Sequence, residues 1–137
     1  MEKKNCIIHL NAIQKMGSDV EKTNQEYIGE LAEKEDKRYL TYKRGSEAGD
    51  ISCLLTFDRR SMSLTQRGAM NSKMNIFPGK KTEYMYSTPM GNLNLSIFTR
   101  EYQVSDFENK IKLVIDYDLL TGGEAIRISM NIEIEYV

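Results

Sequence analysis

The chain has 137 residues, of which nineteen are basic and twenty acidic, so its formal net charge is −1. This length is in the range of one domain that buries a single core. An almost neutral chain offers no strong bulk attraction to nucleic acid or to a membrane surface. We therefore expect one domain over residues 1–137, with neither a membrane nor a nucleic acid as its partner.

The N-terminal region shows no export signal. Its apolar run Cys6-Ile7-Ile8 is followed at once by His9, so it is far shorter than the apolar region of a signal peptide. The expected compartment is the cytoplasm. There Cys6 and Cys53 would remain reduced thiols that act as small apolar side chains.

The first third of the chain alternates weakly between apolar and polar residues, which is the pattern of a strand with one buried face. Residues 6–12 predict such a strand, whereas the polar stretch 14–24 is typical of a long loop. Residues 27–31 and 39–42 predict two further strands. Good helix formers occupy residues 30–38, but this segment is too short to make a helix convincing.

The middle of the chain alternates more clearly. Residues 51–64 predict a hairpin with its turn at Asp58-Arg59-Arg60. A strand over 70–76 follows, and the turn Phe77-Pro78-Gly79-Lys80 leads to a strand around 84–86. This succession of short strands and tight turns is typical of an antiparallel sheet.

The last third of the chain shows the clearest alternation of apolar and polar residues. Thr88-Pro89-Met90-Gly91 predicts a kink or bulge at the start of a strand through residues 93–97, because proline and glycine interrupt a regular ladder. Residues 111–119 and 126–136 then alternate without a break, and the turn residues Thr121-Gly122-Gly123-Glu124 join them into a hairpin. Each of these two strands is expected to bury one face.

Together these elements predict an all-β protein. Many short strands without intervening helices favour hairpin-connected sheets over parallel units. Closing such a meander removes its edge strands. We therefore predict an antiparallel, closed or nearly closed barrel of about eight to ten strands.

Four short motifs, followed by Asn131, carry a family likeness across about two-thirds of the chain. They are Tyr39-Leu40-Thr41-Tyr42, Arg67-Gly68, Thr88-Pro89-Met90-Gly91 leading to Thr99, and Leu113-Val114-Ile115-Asp116-Tyr117-Asp118-Leu119. In their order and spacing, the chain resembles the YwiB-like family of small bacterial proteins. These are uncharacterised barrels grouped with the calycins, which include lipocalins, fatty-acid-binding proteins and streptavidin.

The resemblance implies a calycin-like barrel and brings with it no established activity or catalytic residues. The family pattern has acidic residues after the position of Tyr42, where this chain has Lys43 and Arg44. A role for acids at that point therefore does not transfer to this chain.

Residues for catalysis or metal binding are scarce. His9 is the single histidine and the cysteines number two, too few for a nucleophile with a histidine base or for a zinc site. The acid pairs Asp116/Asp118 and Glu133/Glu135 are expected to face water on the outside of strands. We expect no catalytic activity, no metal and no cofactor.

Basic doublets such as Lys37-Arg38 and Lys43-Arg44 lie near Tyr39 and Tyr42, a combination found in surfaces that stack single-stranded nucleic acid. Acidic neighbours, among them Asp36, dilute the positive field. We interpret the doublets as solubilising residues at turns.

Arg67 is the residue most open to a functional interpretation. Counted from residues 62 and 64, it falls on the outer face, where Glu83 or Glu101 could pair with it. A bulge before Gly68 would reverse this parity and turn Arg67 into the barrel. There it would need a partner, such as the carboxylate or phosphate of a bound molecule.

Four tyrosines could add apolar bodies and hydroxyl groups to such a site: Tyr42, Tyr84, Tyr86 and Tyr117. The leading hypothesis is a non-enzymatic barrel that binds a small, partly apolar molecule in its mouth. The alternative is a filled barrel that serves as a structural or interaction module and forms a homodimer.

Overall fold

In a computed structural model, which describes residues 2–137, the chain forms ten antiparallel strands. They are β1 (Lys3–Met16), β2 (Asp19–Lys34), β3 (Lys37–Ser46), β4 (Gly49–Phe57), β5 (Met62–Gly68), β6 (Asn71–Ile76), β7 (Lys81–Thr88), β8 (Gly91–Asp106), β9 (Lys110–Leu120) and β10 (Ile126–Tyr136). Each strand pairs with its neighbours in sequence, and β10 also pairs with β1. The predicted antiparallel barrel is confirmed, and it is closed.

The alternation of residues explains the core. Along β9, the side chains of Ile111, Leu113, Ile115 and Tyr117 are buried, and the residues between them point outward. The predicted hairpin with β10 is present, because Leu113 lies opposite Ile132 in the ladder. Inward residues of all ten strands contribute to the barrel interior in the same way.

The stretch 14–24, expected to be a loop, instead forms the outer part of the β1–β2 hairpin. Its turn is at Gly17, with φ of 62°, and its strands remain paired up to Met16 and Asp19. β3 pairs only with Gly29–Lys34 of β2, so this hairpin has no β3 neighbour along its polar half. Because little of that half is buried, its sequence carries no apolar alternation and was misinterpreted.

Two smaller expectations also need correction. Thr88-Pro89-Met90-Gly91 forms the tight turn between β7 and β8, where the amide of Met90 donates to the hydroxyl of Thr88 at 3.1 Å. The bulge lies further along β8, between Thr99 and Glu101. Met70, which was placed in a strand, lies in the turn between β5 and β6.

The two ends of the barrel differ. We call the end with the β2–β3, β4–β5, β6–β7 and β8–β9 turns the lower end. There Arg38 reaches Asp106 at 2.6 Å and Glu33 at 3.5 Å. The hydroxyl of Tyr102 donates to the carbonyl of Asp58 at 2.6 Å. Apolar packing and these polar contacts close the lower end, so a site inside the barrel has to be sought higher up.

Truncating a core side chain should lower the stability of the folded barrel. Leu113 is completely buried, and we expect Leu113→Ala to lower the free energy of unfolding by about 2 to 5 kcal/mol. Leu93, which is 56% exposed, provides the matched control. We expect Leu93→Ala to change that free energy by less than about 0.5 kcal/mol. Urea denaturation of both variants measures the difference, and equal effects would contradict the complete burial of Leu113.

Candidate functional site

The barrel wall divides where β2 and β3 part. Their ladder ends at the pair Gly29–Tyr42. Above it, residues 19–28 of β2 stay paired with β1, and residues 43–46 of β3 stay paired with β4. We call this opening in the wall the fork.

A glycine stands at the base of the fork for a steric reason. A Cβ atom on Gly29 would lie 2.6 Å from the carbonyl oxygen of Thr41 and 2.9 Å from Cδ1 of Ile8. Any larger residue would push β2 away from β3 or from the core. Gly29 therefore keeps the two strands close at the last pair before they diverge.

A groove with a volume of about 1000 Å³ lies at the fork. Three of its lining residues have inward parity, namely Tyr27, Tyr42 and Cys53. The rest of the lining is formed by outer-wall residues that include Ile28, Leu54, Lys43, Arg67, Glu26 and Glu30. The groove thus lies on the outer wall, where inward-facing residues at the fork contribute to its lining.

The inner part of the groove is aromatic. The rings of Tyr27 and Tyr42 stack with centroids 5.1 Å apart and planes inclined by 28°. Burial raises the pKa of both phenols above its usual value, and the nearby charge of Arg44 opposes that rise. Both hydroxyls therefore stay protonated at neutral pH and can donate hydrogen bonds.

Arg44 is the charged group behind these tyrosines. It pairs with Ile51 across the β3–β4 ladder, shares the inward parity of Tyr42 and is half-buried. Its Nη2 donates to Oε1 of Gln66 at 2.7 Å and contacts Sδ of Met70 at 3.6 Å. Among residues 2–137, no carboxylate forms a salt bridge with Arg44. The hydrogen-bond partners of this positive charge are thus neutral side chains.

The same strand provides a direct comparison. Arg38 and Arg44 are six residues apart on β3 and share one face, yet Arg38 has two acidic partners at the lower end. Burial lowers the pKa of Arg38, but Asp106 and Glu33 outweigh that effect and raise it. The chain thus supplies counter-charges to one inward arginine and none to the other.

Further inward tyrosines extend this region. Tyr84 and Tyr86 meet edge to face with centroids 6.2 Å apart, and Tyr117 is buried beside them. Ser72, which is 8% exposed, lies opposite both Gln66 and Tyr86 in the ladders. Its Oγ atom has no hydrogen-bond partner among the described residues. A buried hydroxyl of this kind is a polar atom available to a bound group.

The predicted site residues separate into two sets. Four predicted tyrosines face the interior, as a site inside the barrel requires, namely Tyr42, Tyr84, Tyr86 and Tyr117. Arg67 lies opposite Ser52 on the outer wall and is exposed, which is the orientation that alternation favoured. The β4–β5 register runs without a bulge, so Arg67 does not enter the barrel, and no ion pair links it to Glu83 or Glu101 in residues 2–137.

Sequence reasoning missed Arg44 as a site residue. A usable signal was present, because Tyr42 was assigned to the inner face and Arg44 is two residues further along the same strand. Arg44 was instead treated as one half of a basic doublet and as a departure from the family pattern. Its significance depends on the absence of an acid nearby, which alternation alone does not reveal.

Other polar residues have structural partners. Asp116 pairs with Arg127 at 2.9 Å and Asp118 with Arg100 at 2.6 Å, on the outer wall as predicted. His9 lies between Glu26 and Glu135, 3.4 Å from each. Residues 2–137 contain no cluster of three or more His, Cys, Asp or Glu side chains suited to a metal ion. They also form no helix long and apolar enough to cross a membrane.

Comparison with known proteins agrees with this architecture. The family model described as "Domain of unknown function (DUF1934)" matches residues 8–134. The uncharacterised β-barrel protein YwiB of Bacillus subtilis (strain 168) is 25% identical over 91 residues, which cover 66% of this chain and 64% of that protein. The aligned region is therefore slightly less than two-thirds of that relative.

One solved structure shows the same fold. The crystal structure of YwiB from Bacillus subtilis matches with a TM-score of 0.91 at 21% identity, over 98% of this chain and 93% of that one. Ail, the attachment invasion locus protein of Yersinia pestis, matches with a TM-score of 0.37 at 10% identity, over 99% of each chain. The first match establishes the shared barrel fold, and the second supports no conclusion.

The buried tyrosines should make the protein sensitive to alkali. Burial raises the pKa of Tyr117 above its usual value near 10.0. The native state therefore keeps the proton that the unfolded state loses, and stability falls as pH rises above about 10. From pH 8 to pH 11, we expect Tyr117→Phe to lose about 1 kcal/mol less unfolding free energy than the wild type.

Urea denaturation of both proteins at the two pH values tests this expectation. The value at pH 8 serves as the control for packing, because the phenol is neutral there in both the folded and the unfolded states. Parallel pH profiles for the two proteins would contradict a buried, protonated Tyr117.

Proposed function

The chain belongs to the DUF1934 family, and from that premise we propose that it is a non-enzymatic barrel that binds a small, partly apolar molecule. The ligand enters through the fork between β2 and β3. The observation that carries this proposal is the groove of about 1000 Å³ at the fork, whose lining combines outer-wall residues with Tyr27 and Tyr42, the two residues whose rings stack.

The shape and lining of the groove support a small ligand. Binding sites for small molecules are concave and mostly apolar, with a few polar groups that orient the ligand. Here Ile28 and Leu54 offer apolar surface at the entrance, while the tyrosines offer ring faces and hydroxyl donors inside. The fork also exposes backbone groups of two strands that pair elsewhere along their length.

The closed lower end supports the same direction of entry. The depression there has a volume of about 490 Å³ and is lined by charged residues that include Arg38, Asp36 and Arg59. Arg59 also reaches Asp106 at 2.9 Å, which adds to the ion pairs of Arg38. An apolar ligand would have to displace this network, whereas the fork presents no comparable barrier.

A neutral fluorescent probe tests the proposal. Phenylnaphthylamine is small, apolar and brighter in a dry site, and we expect saturable binding to one site. The chain lacks tryptophan, so Leu54→Trp introduces a single energy donor beside the groove. Phe98→Trp places the donor on β8, and it is a matched control because Leu54 and Phe98 are both 37% exposed.

We expect stronger energy transfer to the bound probe from the tryptophan of Leu54→Trp than from that of Phe98→Trp. The comparison requires that both variants bind the probe with saturation. Absence of saturable fluorescence in the wild type, or equal transfer from the two positions, would refute binding at the fork.

The same face supports a second candidate function, self-association. Ile28 is 81% exposed on the outer wall. The acids Glu26 and Glu30 lie on β2, and the bases Lys43 and Arg67 lie on β3 and β5. A second copy related by a two-fold axis would place acids against bases around an apolar centre, which is the complementarity that an isologous dimer needs.

Oligomeric state distinguishes the two functions. If the face joins two copies, the wild type sediments as a dimer, and Ile28→Asp shifts it to a monomer, because a charge is placed in the apolar centre. Val20→Asp provides a control at another exposed apolar position, 56% exposed, on the same strand. A monomeric wild type that binds the probe would exclude self-association and leave the ligand-binding function.

A further inference from the structure

We propose that Arg44 binds the negatively charged group of the ligand, so that the protein selects molecules with one carboxylate, phosphate or sulfonate on an apolar body. This inference rests on the proposed function and names the class of ligand for the same site. It starts from an arginine that faces the barrel interior without an acidic partner.

An inward arginine without a counter-charge is unfavourable by itself. Removing a guanidinium from water has a large desolvation cost unless an anion or a full set of acceptors replaces the water. Arg60 and Arg67 also lack an ion pair among residues 2–137, but both are exposed and remain hydrated. Arg44 alone combines inward orientation, partial burial and the lack of an acid in the described chain.

The guanidinium of Arg44 has more N–H donors than its hydrogen bonds within the protein use. Its hydrogen bonds to Gln66 and Met70 both use Nη2, and the thiol of Cys53 is a further neighbour of the guanidinium. An arginine has five N–H donors in a planar fork that fits the two oxygens of a carboxylate or phosphate. The contact with Gln66 also holds the side chain in place, so that less rotational freedom is lost when an anion binds.

The neighbours of Arg44 are suited to an anion. The pKa values of Tyr27, Tyr42 and Tyr84 are raised mainly by burial, so these phenols stay protonated and can donate to an anion. The buried hydroxyl of Ser72, opposite Gln66 and beside the phenol of Tyr84, supplies one more neutral polar group. These hydroxyl groups are neutral, so they can donate hydrogen bonds to a bound anion without forming an ion pair with Arg44 themselves.

The groove determines the rest of the ligand. Arg44 does not itself line the groove but lies close enough to Tyr27 and Tyr42 for its charge to act on both phenols. A ligand bound to Arg44 would pass the stacked rings of these tyrosines and then reach Ile28 and Leu54. These surfaces suit an aromatic or alkyl body. Acidic and basic side chains both line the outer part of the groove. The selection of an anionic ligand therefore depends on Arg44 and not on the net electrostatic field of the groove.

Two probes with the same rings separate this inference from the proposed function. Anilinonaphthalene sulfonate has the skeleton of phenylnaphthylamine plus one sulfonate. We expect the wild type to bind the sulfonate probe at least about tenfold more tightly than the neutral probe, because a charge-assisted hydrogen bond forms. In Arg44→Met, we expect the sulfonate probe to lose about tenfold or more in affinity and the neutral probe to change less than about twofold.

Matched variants complete the test. Arg60→Met removes the charge of another exposed arginine without an ion pair among residues 2–137, at the lower end and away from the groove, and should leave the ratio of the two affinities unchanged. Arg44→Lys keeps the charge but loses the planar fork, so the ratio should fall between those of the wild type and Arg44→Met. Displacement of the sulfonate probe by octanoate and by octyl phosphate, but not by octanol, extends the result to the two common biological anions.

Folding is monitored in the same variants. Because no acid loses its partner, Arg44→Met should denature at the same urea concentration as the wild type or at a higher one, whereas Arg38→Met should denature at a lower one. A lowered midpoint for Arg44→Met would assign Arg44 a structural role and overturn the inference.

Failure of the proposed function and failure of the anion inference give different experimental results. If the neutral probe does not bind the wild type, the proposed function is wrong. If both probes bind and Arg44→Met leaves their affinity ratio unchanged, the ligand site stands and the anion inference is overturned.

Discussion

The ladder between β1 and β10 is the constraint on which the rest of the barrel depends. It contains ten residue pairs, from Cys6–Tyr136 to Lys15–Arg127, and it joins the first strand to the last. Every other ladder links consecutive strands. Residues opposite each other in a ladder share a face, so this one long-range contact makes the inward parity of β1 agree with that of β10. Without it the sheet would have two open edges, and the inner side chains would lose their enclosure.

Alternation predicted most of this fold because burial is uniform along most strands. From Ile111 to Tyr136, nearly every inward position is apolar, and the hairpin of β9 and β10 could be assigned with its turn. The same alternation favoured the outer face for Arg67, which the structure shows, but it left open a bulge before Gly68 that would have turned Arg67 into the barrel. The four candidate tyrosines face the interior. It failed at residues 14–24, where a long hairpin projects beyond β3. A strand whose two faces are both exposed to solvent does not need alternating apolar and polar residues, so its sequence resembles that of a loop.

The candidate site was only half predictable for a related reason. The tyrosines were recognised by residue type and parity, which are local properties of a strand. The fork is a difference in length between two ladders, and the isolation of Arg44 is the absence of an acid from several neighbouring strands. Both depend on the three-dimensional pairing of elements. The sequence shows Lys43-Arg44 as a doublet at a strand end, a pattern that is solvent-exposed in many proteins.

The contrast between Arg38 and Arg44 connects stability with function. At the lower end, Arg38 is held by Asp106 and Glu33, and Arg59 adds a further contact to Asp106, so the charges there are balanced within the protein. On the outer wall, Asp116 and Asp118 are balanced by arginines in the same way. The chain pairs these charges, whereas it leaves Arg44 near tyrosines, a glutamine and a methionine. Departures from local stability rules concentrate at functional sites, and this departure lies behind the one place where the ladder of β2 and β3 ends early. The missing counter-charge and the opening in the wall are therefore accounted for together by the proposed ligand, which would enter through the fork and supply the anion.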